Sequence, residues 1–317
     1  MKMKDLKGRD TMKISMVTGY MDKKLGFEKC YESIAEAGFT AVDWSIYNTV
    51  NTRKPGYAGT CIFEKPLDAV IAHYSEELAS IRKNGLTITQ AHAPWPLYLP
   101  GQPELTAYAI GILTRMIELC GYAGCPRLVI HPICLSLTEL TDTPEDIDRI
   151  NMHMLGSLIP TLIRCNVTAC LENLYVRNDM NFVDGAFSDP YGAAAMVDRL
   201  NEKAGQEVFG ICLDTGHMNL LGKDMRTFLP VLGKRIKALH INDNDGFSDQ
   251  HIAPLAGKIN WKLFCQCLRQ IGYEGDLSFE TTGQSKLVLE YDEELLLPWL
   301  SLICKTGESF RQRIRGE

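Results

Sequence analysis

The sequence has no CxxC pair, no G-x-G-x-x-G fingerprint, no Walker-type phosphate loop and no low-complexity tract. Without the glycine-rich loops, a nucleotide-binding open sheet loses its usual support. The eleven cysteines are odd in number and scattered, with Cys265 and Cys267 the nearest pair. That pattern speaks for free buried thiols in a reducing cytosol and against a disulfide framework. Met1–Asp10 is charged and lacks the apolar centre of a signal peptide. The most apolar late stretch, Leu295–Cys304, is short and interrupted by Pro298, so no membrane span is expected. Basic residues are in deficit as well: 33 Lys and Arg against 39 Asp and Glu leave a net charge of −6. This excludes a broad basic face for nucleic acid, though not a local patch. The expected protein is cytoplasmic, with neither a membrane nor nucleic acid as its partner.

Over 317 residues, a 45% hydrophobic composition suffices for a full core. Eight short apolar or β-branched runs recur along the chain, at Lys13–Val17, Thr40–Trp44, Leu86–Gln90, Arg127–Ile130, Val167–Leu171, Val208–Leu213, Arg235–Leu239 and Asp276–Phe279. Segments of helical spacing separate them, among them Phe27–Ala37, Leu67–Lys83, Glu104–Gly121 and Ala193–Asn201. A further helix is expected to start at Thr143 as cap with Pro144 in its first turn. Polar loops are expected at Asn48–Gly59 and Asn178–Gly192. Eightfold strand–helix alternation with no linker-like shift in composition argues for an α/β fold, a (β/α)₈ TIM barrel formed as one domain over residues 1–317. A doubly wound open sheet is the alternative.

The polar residues at the ends of these runs carry the chemistry. Six runs lead into a metal-capable side chain: His92, His131, Glu172, Asp214, His240 and Glu280. In a barrel, such ends converge on one face, where side chains from different strands reach a common centre. The stretch Asp214-Thr215-Gly216-His217 brings a carboxylate and an imidazole together at the end of a buried strand, with Gly216 expected to let the chain turn. Taken alone, it also suits a solvated aspartate and a helix-capping histidine. His73 and His153 fall in helical segments and are read as ordinary surface histidines.

Taken together, the motifs resemble the xylose-isomerase-like TIM barrels, a group of sugar phosphate isomerases and epimerases that includes endonuclease-four-type repair enzymes. The resemblance runs from about Lys13 to Glu280. It rests on His-Ala-Pro at 92–94, His-Pro at 131–132, Glu-Asn at 172–173, Asp-Thr-Gly-His at 214–217, His-Ile-Asn-Asp-Asn at 240–244, Asp249-Gln250-His251 and Phe-Glu-Thr at 279–281.

The epimerase branch implies one divalent cation (Mn, Zn, Co or Mg) on Glu172, Asp214, His240 and Glu280. Glu172 and Glu280 would then act as paired acid/base on a small carbohydrate, with His217 touching the substrate. Inosose-type dehydration and hydroxypyruvate-type isomerisation suit the same ligands. The endonuclease branch implies three zinc ions, with His92, His131, His217, Asp249 and His251 joining those four. More than one bound metal would favour zinc.

Both branches meet departures. Ketose epimerases of the group place an arginine after the seventh-strand histidine, and here Ile-Asn-Asp-Asn follows His240. The first turn, Val17–Tyr20, lacks the His-rich opening of the endonucleases, and Asn48–Gly59 holds only Arg53 and Lys54 as basic residues. Trp95 either stacks on a sugar or covers the barrel top. Arg177 is a candidate phosphate or carboxylate anchor, and Lys258, in the loop Ala253–Trp261, is a candidate for the barrel mouth. Small-molecule isomerase or epimerase chemistry is the expected function, and a zinc phosphodiesterase acting on abasic DNA is the alternative. A barrel that only binds a ligand is disfavoured, because both candidate bases and the metal ligands are present.

Overall fold

Strand formation begins with residues that have no wet side. β1 (Ile14–Val17) and β2 (Ala41–Trp44) are buried at every position, and β3 (Thr87–His92) at all but its first. Strands buried on both faces are the mark of a parallel sheet covered by helices. β4 (Arg127–Ile130), β5 (Thr168–Glu172), β8 (Phe209–Asp214), β9 (Ile236–His240) and β10 (Leu277–Phe279) complete the sheet, in the order β10-β1-β2-β3-β4-β5-β8-β9. All of its strand pairings are parallel. A bridge from Ile241, just past β9, to Phe279 closes the ring. Across it Ile241 N–H donates to Ser278 O at 2.8 Å, and Glu280 N–H to Ile241 O at 3.0 Å. The closure makes this a TIM barrel and removes the open-sheet alternative.

The computed structural model describes residues 12–49, 61–98, 102–134, 142–179 and 181–317. Met1–Asp10, Arg53, Lys54 and most of the Asn48–Gly59 loop lie outside them. The expected helices are present: α2 (Phe27–Glu36), α3 (Leu67–Lys83), α4 (Pro103–Ala123), α5 (Pro144–Cys165) and α6 (Pro190–Ala204). Thr143 caps α5 in a full capping box with Asp146, each side chain accepting from the other's backbone N–H. α6 starts three residues earlier than its apolar spacing suggests, because Asp189 caps it and Pro190 occupies its first turn. One element departs from the expected loop Asn178–Gly192. β6 (Tyr175–Asn178) and β7 (Asn181–Asp184) form an antiparallel hairpin after β5. Its residues are half-buried or exposed, so no apolar run announces it.

Beneath the carboxyl ends of the strands, Val129, Cys170, Cys212 and Ala238 form a small buried cluster, separate from the large core under the helices. All eleven cysteines are free. Among the described residues no helix is long and apolar enough to cross a membrane.

Candidate metal centre

The end of β8 shows how the local sequence builds the site. Asp214 is the N-cap of α7 (Thr215–Leu220), its Oδ1 accepting the backbone N–H of His217 at 2.7 Å. Its Oδ2 accepts from the Asn242 side chain at 2.7 Å. Asn173 pins the same strand end, donating to Asp214 O and accepting from Asp214 N–H. Asp214 is thus fully buried and held in one orientation, not solvated. Gly216 has a different role from the turn expected of it. A Cβ there would stand 2.0 Å from Asn242 Oδ1, so glycine is needed for close approach. Asn242 and Asn244, which follow His240 where ketose epimerases of the group place arginine, tie β9 to this turn, with Asn244 Nδ2 donating to Gly216 O at 2.9 Å.

Glu172, Asp214, His240 and Glu280 converge, each offering a donor atom within 4.8 Å of the others. His240 Nδ1 lies 3.2 Å from Glu172 Oε1 and 3.4 Å from Glu280 Oε2. Donors held about 2.1 Å from one tetrahedral cation stand roughly 3.4 Å apart, so these spacings fit a metal. Glu172 Oε2, Glu280 Oε2 and His240 Nδ1 are buried with no hydrogen-bond partner among the described residues, a costly arrangement that a cation would relieve.

Cys212 and His92 each form a further group with two members of this one, Cys212 with Glu172 and His240 and His92 with His240 and Glu280, and two more groups adjoin it. His92, His131 and Glu172 form the first, with Glu172 Oε2 3.4 Å from His92 Nε2 and 3.2 Å from His131 Nε2. His217, Asp249 and His251 form the second. There Asp249 Oδ1 lies 3.2 Å from His251 Nε2 and 4.0 Å from His217 Nε2, while Tyr175 donates its hydroxyl to Asp249 Oδ2 at 2.8 Å. His251 has a left-handed backbone (φ 46°), and its Nδ1 lies 3.2 Å from Glu280 O.

The electrostatics differ between the two glutamates. Burial raises the Glu172 carboxyl, but His240 and His131 outweigh it and hold the group well below the usual carboxylate range. Burial also raises Glu280, the negative charges of Glu172 and Asp214 add to it, and His240 and His251 only partly offset the rise. His131 is lowered, chiefly by burial. Burial lowers His251, yet Glu280 and Asp249 carry it up to about 10. Asp249 is raised by burial and pulled down more strongly by His251, to about 2.

A cavity of about 320 Å³ opens over these groups, walled by Tyr47, Trp95, Tyr175 and Leu174 and floored by Glu172, Glu280 and the histidines. Trp95 stacks on His131 at a 5.1 Å ring separation and packs on Tyr47 at 4.9 Å, so it both covers the barrel top and presents a face. His92, His131, His217, Asp249 and His251 all line the cavity. Arg177 and Lys258 do not. Arg177 is exposed on the hairpin and donates to Asp179 O, and Lys258 is exposed in the loop after β9.

The motif at Ala253–Trp261 has a structural cause. The Asp243 carboxylate accepts five donors from it and its neighbour: the N–H groups of Asn244, Leu255, Gly257 and Ile259 and the Trp261 indole. His73 and His153 are exposed on their helices. Asp43, Tyr47 and Tyr175 belong to the site and were not read from the sequence. Asp43 is the penultimate residue of the second strand, so the strand-end rule that points to the candidate ligands also reaches it.

Three comparisons bear on this arrangement. The chain is similar to the uncharacterized protein y4fM of Sinorhizobium fredii, with 23% identity over 275 residues and 81% of each chain covered. It is similar to the probable endonuclease 4 of Mycoplasma genitalium at 25% identity, over 58% of this chain and 62% of that one. A D-tagatose 3-epimerase-like protein shares its fold, with a TM-score of 0.66 at 20% identity, covering 90% of this chain and 98% of the other. Residues 31–300 match the family described as the xylose isomerase-like TIM barrel, and with its closed eight-stranded ring the chain belongs to that family.

Proposed function

We propose that the chain is a metal-dependent isomerase or epimerase of small polyhydroxy carbonyl compounds, acting by proton transfer at the carbon next to the carbonyl. The observation that carries this reading is the pairing of Glu172 and Glu280, a buried and a partly buried carboxylate that share one cation cradle and face one cavity. Glu172, Asp214, His240 and Glu280 would hold the cation. When bound, a divalent cation polarises carbonyl and hydroxyl oxygens and so acidifies the adjacent C–H.

The chain's own groups supply the rest. Glu280, whose proton affinity is raised, suits the role of the base that takes the proton. Glu172, strongly held as the anion, suits a permanent ligand that meets the opposite side of the substrate. His217, fixed by its Nδ1 contact to Asn173 O at 2.9 Å, turns its other nitrogen toward the cavity group of Asp249 and is placed to bond a substrate oxygen. The aromatic walls exclude water and offer a face to a sugar ring. The fold likeness to sugar epimerases supports the same class.

A second reading has its own observation. The groups His92–His131–Glu172 and His217–Asp249–His251 flank the central one, and three cations at such a set suit phosphodiester hydrolysis. The test is a paired assay of the metal-loaded chain, with keto sugars and inososes in one arm and an abasic-site oligonucleotide in the other. Carbonyl-adjacent isomerisation supports the first reading. Strand cleavage with no sugar turnover overturns it in favour of the second.

A further inference from the structure

His240 reaches the centre through Nδ1, and its other ring nitrogen points away, into the barrel. His240 Nε2 lies 3.3 Å from Asp43 Oδ2, an ion-pair approach outside hydrogen-bond geometry; the nitrogen has no hydrogen-bond partner among the described residues, and both side chains are completely buried. Asp43 is itself fixed: the same Oδ2 accepts from Gln90 Nε2 at 2.7 Å and from Ser278 Oγ at 2.9 Å. Gln90 also donates to Leu239 O at 3.3 Å, so the cluster returns to the residue before His240. It therefore links β2, β3, β9 and β10 beneath the cavity.

An imidazole offers a lone pair on one nitrogen only if its proton sits on the other. Nothing on the Nδ1 side sets that choice, because Glu172 and Glu280 are acceptors that would attract the proton to the wrong nitrogen in the absence of a cation. With a cation on the Nδ1 side, a fixed carboxylate on the other side gives the Nε2 proton a partner.

We propose that Asp43 is a positioning residue for the metal centre: its carboxylate holds the His240 proton on Nε2, aims the ring and leaves the Nδ1 lone pair directed at the cation. Asp43 touches neither substrate nor cation and acts only through His240. The proposal rests on the reading that Glu172, Asp214, His240 and Glu280 hold a cation, and it extends that reading to an outer partner, a kind of contact whose loss weakens metal binding about 10–100-fold.

The test uses the full chain, stripped of metal and given one equivalent of Co(II), followed by visible absorption and by paramagnetically shifted proton NMR. The four-residue group contains one imidazole, so one solvent-exchangeable ring N–H signal is expected. In the unaltered chain that proton should exchange slowly with D₂O. Asp43→Asn keeps the side-chain size and removes the charge. It should weaken Co(II) about 10–100-fold and shift or broaden the N–H signal. An Asp43→Asn chain that folds, binds Co(II) within about twofold of the unaltered chain and keeps the same N–H signal overturns the proposal. If that variant does not fold, the unaltered chain decides. A slowly exchanging His240 N–H supports the proposal, and one lost as fast as a solvent-exposed ring proton overturns it. Failure of the unaltered chain to bind Co(II) removes the cation reading, and this proposal with it.

Discussion

Glu172 Oε1 stands 3.2 Å from His240 Nδ1, while the other oxygen of the same carboxylate stands 3.2 Å from His131 Nε2. One side chain therefore joins the central ligand group to an outer one, while Glu280 groups with His92 and His240 and its Oε2 stands 3.5 Å from His251 Nδ1. Glutamine at each position should separate the two roles. Glu280→Gln keeps an oxygen for the cation but cannot accept a proton near neutral pH. Its turnover should fall at least about 100-fold with most of the bound metal retained. Glu172→Gln should lose comparable activity and more of the metal, as read by elemental analysis after desalting.

The number of cations is separable from their chemistry. The isomerase reading expects one tightly held equivalent, unchanged by His251→Ala, because His251 lies outside the four-residue group. Three equivalents in the purified protein, falling when His251 or His131 is replaced, would favour the phosphodiesterase reading. Metal analysis of the three proteins in parallel decides between them.

Asp243 organises the loop that carries Asp249 and His251 without facing the cavity itself. Asp243→Ala strands five donors around a buried position, Trp261 Nε1 among them. Unsatisfied buried donors cost about 1–3 kcal/mol each before relaxation, so a loss of at least about 3 kcal/mol is expected in urea unfolding. Thr143→Ala, at the exposed capping box of α5, should cost only about 1 kcal/mol.

Asp22, in the helix Gly19–Leu25, carries a pH signature of its own. Burial lifts its carboxyl, and the nearby negative charge of Glu77 adds to the rise, bringing it to about 7 from 3.8. The folded state therefore holds this proton where the unfolded chain has released it. Its contribution is full below the unfolded value and is lost as pH rises through about 4 to 7. Asp22→Asn should flatten that part of the stability profile, measured by urea unfolding at about pH 5 and pH 8. An unchanged difference between the two pH values would contradict the assignment.

Much of the barrel is legible in the chain because its strands are buried on both faces and bounded by glycine, proline or capping residues. The run Arg127–Ile130 is reproduced to the residue, and the others differ by one or two at their ends. His92, Glu172, Asp214 and His240 close the very strands whose runs point to them. The hairpin of Tyr175 was not legible, since an exposed antiparallel pair carries no apolar periodicity. Asp43 was hidden for another reason: its importance lies in a contact with His240, almost 200 residues away, which only barrel closure creates. Arg177 and Lys258 stand out in the sequence by charge and position along the chain, and charge alone does not tell which way a loop residue faces.

The most direct test of the central claim is solvent hydrogen exchange during turnover. The metal-loaded chain, incubated in D₂O with a panel of keto sugars and inososes, should place deuterium at the carbon beside the carbonyl of the compound it converts. The stripped chain should place none, and Glu280→Gln should reduce incorporation together with turnover. Conversion of any of these compounds with no deuterium entering the product would contradict proton transfer by Glu172 and Glu280.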